Sequence, residues 1–343
     1  MAKIIINGKF FSQRITGVQR YAREMLNALD PMLMCGDVLL VLPKDAHDVP
    51  CFQNIKIHRT NIKASIIFDQ IYMPFFALKM GLPALHMCHV APILKPDYVF
   101  IYDANVEKNP KWFTKKIFIW YYIIHWICSK WSKKIFTDSD FAKNELCNFF
   151  GVAKHRIVNV GAGWQHMLQI QDDENTLLKF GLEKGNYFFS LGTKAPHKNL
   201  KWVYEYASKH PKDIFAVSGS SDGKIFGKVD APLPSNVRFL GYLSDSEIKF
   251  LMKNSKAFLF PSFYEGFGIP PLEALSTGCR VIVSDIPVMH ENFGKTVWYI
   301  NPHCVDVDLD VAMNTPIESA DVVLEKYSWR KGAEILREIL IEK

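Results

Sequence analysis

Apolar and polar positions follow two periods along this chain. Runs of four or five apolar residues bounded by turn-forming positions read as buried strands, and between them lie stretches whose apolar residues recur every three to four positions, as on one helix face. In the first half this predicts strands at 4–7, 38–42, 99–102, 134–137 and 156–160, with a helix over 17–29 after the loop GKFFSQRIT. In the second half it predicts strands at 187–191, 214–218, 237–240, 257–260, 280–284 and 297–300, and helices at 200–209, 245–254 and 271–277. Ser244 and Glu247 have the spacing of a capping box at the start of the middle helix. Strands that alternate with helices build parallel sheets, and the alternation occurs twice. The expected fold class is therefore α/β, with two Rossmann-like parallel-sheet domains facing across a cleft. The polar passage 163–175 marks the boundary, which gives a first domain over 1–168, a second over 169–326, and a C-terminal helix at 327–343 that can cross back to the first.

Length and composition agree with this. The chain has 343 residues, 49% of them hydrophobic, which suffices for two cores and excludes disorder. Residues 1–170 carry 21 Lys/Arg against 12 Asp/Glu, whereas the rest carry 20 against 23, so the first half is basic. A basic half attracts something anionic: a phosphorylated substrate, a lipid headgroup or a nucleic acid. The seven cysteines form an odd set without a CxxC pair, as expected of reduced thiols rather than a disulfide framework or a zinc site. No apolar run is long enough to span a bilayer and no signal-peptide pattern opens the chain, so the expected location is cytoplasmic.

The candidate chemistry concentrates in AFLFPSFYEGFGIPPLEALSTGCRVIVSD, residues 257–285. Pro261 ends a strand, Gly266 and Gly268 permit a tight turn, and Pro270 and Pro271 suit a first helical turn. The amides of Phe267, Gly268 and Ile269 then lie near a helix N-terminus, a place for phosphate or sugar hydroxyls. Glu265 and Glu273 stand eight residues apart around this turn. Such a pair in isolation is more often a solvated loop acid and a dipole-complementing acid than a site.

The segment resembles the family 4 retaining glycosyltransferases of GT-B fold, whose hallmark is this E-x7-E within EGFGxPxxEA. FSLGTKAPHKNL (189–200) is similar to that family's glycine loop with its phosphate-binding lysine. NVRFLGYLSDSEIKFLMKNSKAFLFPS resembles its nucleotide-base segment and SWRKGAEIL its closing helix, while INGKFFSQRITGVQRYA resembles the start of the subgroup that builds bacterial surface polysaccharides such as lipopolysaccharide or capsule.

The resemblance implies transfer of a hexosyl unit, with retention and without a metal, from a nucleotide diphosphate sugar to a saccharide or lipid-linked saccharide. Glu265 would approach the donor-sugar hydroxyls and Glu273 the ribose, since a carboxylate accepts from both O–H groups of a diol. Lys198 would neutralise the departing β-phosphate, aided by amides of the 266–269 turn and of the helix start around Gly17. Gly192 belongs to the glycine loop, Lys194 would supply a second charge, and Tyr242 would line the nucleotide pocket. The departing phosphate takes the acceptor proton in this family, so no protein base, cofactor or metal is implied. DSD at 138–140 reads as a strand end and helix cap, and DVDLD at 306–310 as an exposed loop; neither receives a metal role.

The pattern departs from the family in two places. Thr193, Lys194 and His197 stand where an arginine is common near the phosphate lysine, and a lysine does not reproduce an arginine fork. The first-domain strand that usually ends in HD reads FIYDANV, with Tyr102 in the histidine position followed by Asp103. Tyr102 can still donate to a sugar or phosphate oxygen. His86 and His89 lie at another strand end, where a cleft-lining and a structural role are equally open. Residues 111–134 join an aromatic, apolar run to lysines at both ends; they read as a core helix, or as one resting on an anionic membrane at the inner face of the plasma membrane. Alternatives are another GT-B enzyme, such as a nucleotide-sugar epimerase or phosphorylase, and a non-catalytic nucleotide-sugar binder. Without G-x-G-x-x-G after the first strand an oxidoreductase is disfavoured, and no nucleic-acid partner is expected.

Overall fold

The structure, a computed structural model, describes residues 2–192, 195–219 and 234–342. The chain divides into two compact units. Unit 1 comprises Met1–Pro110, Lys115–Gly163 and Ser328–Lys343; unit 2 comprises Lys111–Thr114 and Trp164–Tyr327.

Among the described residues, unit 1 is built on seven parallel strands. In chain order its elements are β1 (Ile4–Asn7), α1 (Gly17–Leu29), β2 (Val38–Leu42), β3 (Lys56–Arg59), α2 (Met73–Met80), β4 (Ala84–His86), β5 (Tyr98–Phe100), α3 (Asn105–Lys108), α4 (Lys115–Trp131), β6 (Lys134–Thr137), α5 (Asp140–Phe150) and β7 (Ile157–Asn159). The sheet order is β3-β2-β1-β4-β5-β6-β7, so it reverses direction between β1 and β4. β1 is buried along its whole length, as a central strand covered on both faces must be. β3 escapes the apolar pattern because it is an edge strand, KIHR, with three of its four residues exposed. Ser139 caps α5, its side chain accepting from the Ala142 amide at 3.0 Å, which explains DSD as a cap.

Among the described residues, unit 2 has six parallel strands. Its elements are α6 (Thr176–Phe180), β8 (Phe188–Leu191), α7 (Leu200–Lys209), β9 (Phe215–Ser218), β10 (Val237–Gly241), α8 (Asp245–Asn254), β11 (Ala257–Phe260), α9 (Ile269–Ser276), β12 (Val281–Ser284), α10 (Pro287–Phe293), β13 (Trp298–Ile300), α11 (Leu309–Met313) and α12 (Asp321–Lys326). The order β10-β9-β8-β11-β12-β13 reverses between β8 and β11. Its core stacks Trp202 on Tyr206, 5.0 Å between ring centres, and packs both with Phe188 and Phe215. The capping box of α8 forms as its spacing predicts: Glu247 N donates to Ser244 Oγ and Ser244 N to Glu247 Oε2. In DVDLD, Asp308 is more than loop, for its carboxylate accepts from the amides of Asp310 and Val311 and opens α11.

The last helix, α13 (Trp329–Arg337), packs on α1 within unit 1. Trp329 meets Tyr21 edge-on at 5.2 Å, and Gly332 lies so close to Met25 and Val160 that a Cβ there would stand 2.9 Å from the Val160 carbonyl oxygen.

Candidate functional site

In open parallel sheets, ligand sites form at the carboxyl ends of strands where the order reverses. In unit 2 that place lies beyond β8 and β11. After β8 the chain passes Gly192 and reaches a short helical turn, Pro196–Lys198; after β11 it turns at Pro261 toward Glu265. Two backbone devices join these loops. Asn199, at φ +51°, donates through Nδ2 to the carbonyls of Pro261 and Pro302 at 2.9 and 2.8 Å, and Phe263 N donates to the His197 carbonyl at 2.8 Å. Asparagine suits this position because it tolerates the left-handed region better than most residues.

The joined loops bring Lys198 and Glu265 together. Lys198 Nζ lies 2.8 and 3.0 Å from the two carboxylate oxygens of Glu265. The ammonium stands 5.1 Å from the centre of the Phe260 ring, and a Cβ on Gly192 would touch the Lys198 side chain at 3.4 Å. Beside them Ser262 Oγ is buried with no hydrogen-bond partner among the described residues, an unsatisfied hydroxyl at the strand end. Phe263 stacks on His303, with ring centres 4.9 Å apart.

The turn Gly266–Phe267–Gly268 opens α9. Gly268 is its N-cap at φ +99°, a conformation that L side chains rarely adopt, and a Cβ there would press on Met289 at 3.0 Å. The helix begins at Ile269, two residues earlier than the apolar pattern predicts, with both prolines in its first turn. The Phe267 carbonyl accepts from Asn292 Nδ2, whose own Oδ1 accepts from the Tyr327 hydroxyl, each at 2.8 Å. Glu273, one turn into α9, is 9% exposed, too buried for a solvated acid that merely complements the helix dipole. His166 Nε2 lies 2.9 Å from Glu273 Oε1.

Unit 1 has a cavity of about 400 Å³ at its own reversal point, between β1 and β4. Asn7, Lys9, Gln19, Asp69, His89 and Tyr121 are among its lining residues. Lys9 pairs with Asp69, which also accepts from Asn7 Nδ2 at 3.0 Å. Thr16 and Val18, either side of Gly17 at the start of α1, line it too. Burial lowers the His86 imidazole to about 3 and that of His89 to about 4. His89 Nδ1 is buried without a partner among the described residues.

Several expected site residues lie elsewhere. Tyr102 is core: its hydroxyl donates to the Met87 carbonyl at 2.8 Å, its ring packs edge-on to Tyr21, and burial holds its phenol well above the ordinary range. The hydroxyl is thus committed to a backbone carbonyl, whereas the sequence reading gave it to a sugar or phosphate oxygen. Asp103 closes a local turn, accepting from the Asn105 amide at 2.8 Å. Tyr242 follows β10 and is 62% exposed. Lys194, with Thr193, lies outside the described residues. Among the described residues no group of three or more His, Cys, Asp or Glu is placed to hold a metal ion, and all seven cysteines are free thiols.

Residues 173–308, the part of unit 2 that contains Lys198, Glu265 and Glu273, match the family model described as glycosyl transferases group 1. The match covers about two-fifths of the chain and lies within unit 2. The chain is 29% identical over 225 residues to the O-antigen chain mannosyltransferase RfbU of Salmonella typhimurium, covering 62% of this chain and 59% of that protein. It is 28% identical over 187 residues to the O-antigen chain mannosyltransferase B of Escherichia coli, covering 51% and 49%. The chain thus spans about half to three-fifths of the length of these relatives. WaaG, a glycosyltransferase involved in lipopolysaccharide biosynthesis, superposes with a TM-score of 0.65 at 14% identity, covering 98% of this chain and 95% of that one. The fold is GT-B, two Rossmann-like parallel-sheet domains in one chain.

Sequence reasoning missed three residues of the candidate site in unit 2. His166 sits in the polar passage read as a boundary, 107 residues from its partner Glu273. Asn199 follows Lys198 directly, and its αL tolerance was the available signal. Ser262, next to the strand-ending Pro261, had none.

Proposed function

We propose that this chain transfers a hexosyl unit, with retention of configuration and without a metal, from a nucleotide diphosphate sugar to a saccharide or lipid-linked saccharide acceptor in surface polysaccharide synthesis. One observation carries the reading: Lys198 and Glu265, 67 residues apart, meet at the reversal point of the unit 2 sheet beside the opening of α9. Glu265 neutralises Lys198. A donor diphosphate would take over the ammonium, which frees the carboxylate to accept from sugar hydroxyls. Charge that grows on the leaving diphosphate would meet Lys198 and the amides at the α9 N-terminus, a preorganised arrangement that favours the transition state over the ground state. Glu273, steadied by His166, would accept from the ribose. The O-antigen mannosyltransferases among the relatives support the reaction class and the polysaccharide context.

The test is a panel of nucleotide sugars, read first by thermal shift and then by donor hydrolysis and transfer. A donor bound to the folded state raises the melting temperature. No shift with any nucleotide sugar refutes the reading. The position of Tyr102 favours one alternative, a nucleotide-sugar binder without turnover, which would give a shift but neither hydrolysis nor transfer.

A further inference from the structure

We propose that His89 is the residue of unit 1 that reads the acceptor, accepting a hydrogen bond from one of its hydroxyls in the cavity, and that the buried pair Glu107 and His125 positions its ring. The inference rests on the proposed function for the name acceptor; the chemistry of the cavity stands without it.

The cavity selects a neutral, hydroxyl-rich ligand. Lys9 and Asp69 are the charged side chains that line it, and they cancel each other in one ion pair. Cys88 adds no charge, because burial pushes its thiol up to about 12. What remains is amide and aromatic: Asn7 and Gln19 can each donate and accept, and Trp120 offers an apolar ring face. Apolar walls with a few converging polar groups make a small-molecule site, and this set suits a saccharide better than a free phosphate.

His89 is held in a conformation that the chain adopts at a cost. Just after β4 its amide donates to the Phe100 carbonyl at 3.0 Å, and the Val90 amide turns back to the Cys88 carbonyl at 2.7 Å. With His89 at φ +59° between them, that bond closes a three-residue turn of the strained hand. The ring is shut in by Tyr102 at 5.1 Å, His125 at 5.9 Å and Tyr121 at 6.3 Å between ring centres. Nδ1 is buried without a partner among the described residues, whereas the residue as a whole is half-buried and lines the cavity, so the Nε2 edge is the one that faces a ligand.

The positioning pair lies behind that ring. Glu107 of α3 accepts through Oε1 from His125 Nδ1 of α4 at 2.7 Å, and both residues are buried. Glu107 Oε2 and His125 Nε2 have no hydrogen-bond partner among the described residues. A buried pair left so incompletely bonded is a poor device for stability, since desolvation offsets most of its attraction. It serves orientation instead: Glu107 fixes the His125 ring, and that ring stacks on His89. Burial lowers the His89 imidazole to about 4 against the pull of Asp103 and Glu107, with His125 acting alongside burial. The ring is therefore neutral at pH 7 and keeps one nitrogen as an acceptor.

The test is titration of the full chain, without donor, with the p-nitrophenyl glycosides of mannose, glucose and galactose, followed by calorimetry. At least one is expected to bind, and inorganic phosphate is expected not to compete. His89→Asn tolerates the backbone conformation but withdraws the outer nitrogen, and is expected to weaken binding about tenfold. His89→Gln, whose longer amide reaches the place of Nε2, is expected to bring it back to within about threefold of the unaltered chain. Glu107→Gln is expected to weaken binding about threefold by itself and no further beside His89→Asn, because a positioning residue acts only through the group it positions. A structural role would add the two losses. Binding of no glycoside, competition by phosphate, equal losses in His89→Asn and His89→Gln, or additive losses with Glu107→Gln overturn the proposal. Because no nucleotide sugar is present, the outcome is separate from that of the donor panel: donors that bind while no glycoside does would sink this inference and leave the proposed function standing.

Discussion

His166 holds Glu273 by one carboxylate oxygen at 2.9 Å, and both residues are buried. A carboxylate aimed in this way has a fixed orientation toward a diol. His166→Ala should raise the donor KM about tenfold, the value of one well-placed hydrogen bond, and leave kcat within about twofold. Steady-state kinetics over a range of donor concentrations measures both. An equal fall in kcat would place Glu273 at the reacting centre instead.

Lys198→Met should reduce kcat about 100- to 1000-fold, the usual cost of one preorganised donor to a developing anion. Glu265→Gln should also impair turnover, yet change stability by no more than about 1 kcal/mol, because the pair is partly solvated. Kinetics and denaturant melts on the same samples separate the two effects.

Tyr102→Phe distinguishes a packing role from a catalytic one. It removes the bond to the Met87 carbonyl and should cost about 1 kcal/mol in urea unfolding. Transfer at saturating donor should stay unchanged; a large loss of kcat would return the hydroxyl to the chemistry.

Gly268→Ala should destabilise unit 2 by about 1–3 kcal/mol, since alanine must adopt φ +99° and press on Met289. The urea midpoint reports the loss.

Acid should weaken unit 1. Burial holds His86 near 3 and His89 near 4 in the folded chain, below the ordinary 6.5, so the unfolded chain binds protons that the folded chain refuses. Their contribution is complete above pH 6.5 and falls with decreasing pH toward 4 and 3, by up to about 1.4 kcal/mol per unit for each imidazole. Urea midpoints at pH 7 and pH 5 check the slope, and His89→Asn should make it shallower. Asparagine tolerates the φ of +59° found at that position.

These residues also mark what was legible in the sequence. The helices Gly17–Leu29, Leu200–Lys209 and Asp245–Asn254 start and stop where their apolar period and flanking residues predict. The strands around Glu265 were equally plain, because a fully buried parallel strand is an unbroken apolar run. β3 was not legible, for an edge strand such as KIHR need not be apolar. The burial of Tyr102 was not legible, because a place at a strand end does not tell which way a side chain leaves it. The His166 contact was invisible because local pattern carries no information across 107 residues.

The return of α13 to unit 1 has a consequence for how the molecule is made. Tyr21 and Met25 on α1 wait for Trp329 and Gly332, which a ribosome adds only after all of unit 2 has been synthesised. The first-made half therefore emerges with a hydrophobic groove still uncovered. A nascent chain halted before residue 328 would display that groove to chaperones, and completion of the final helix is what seals it.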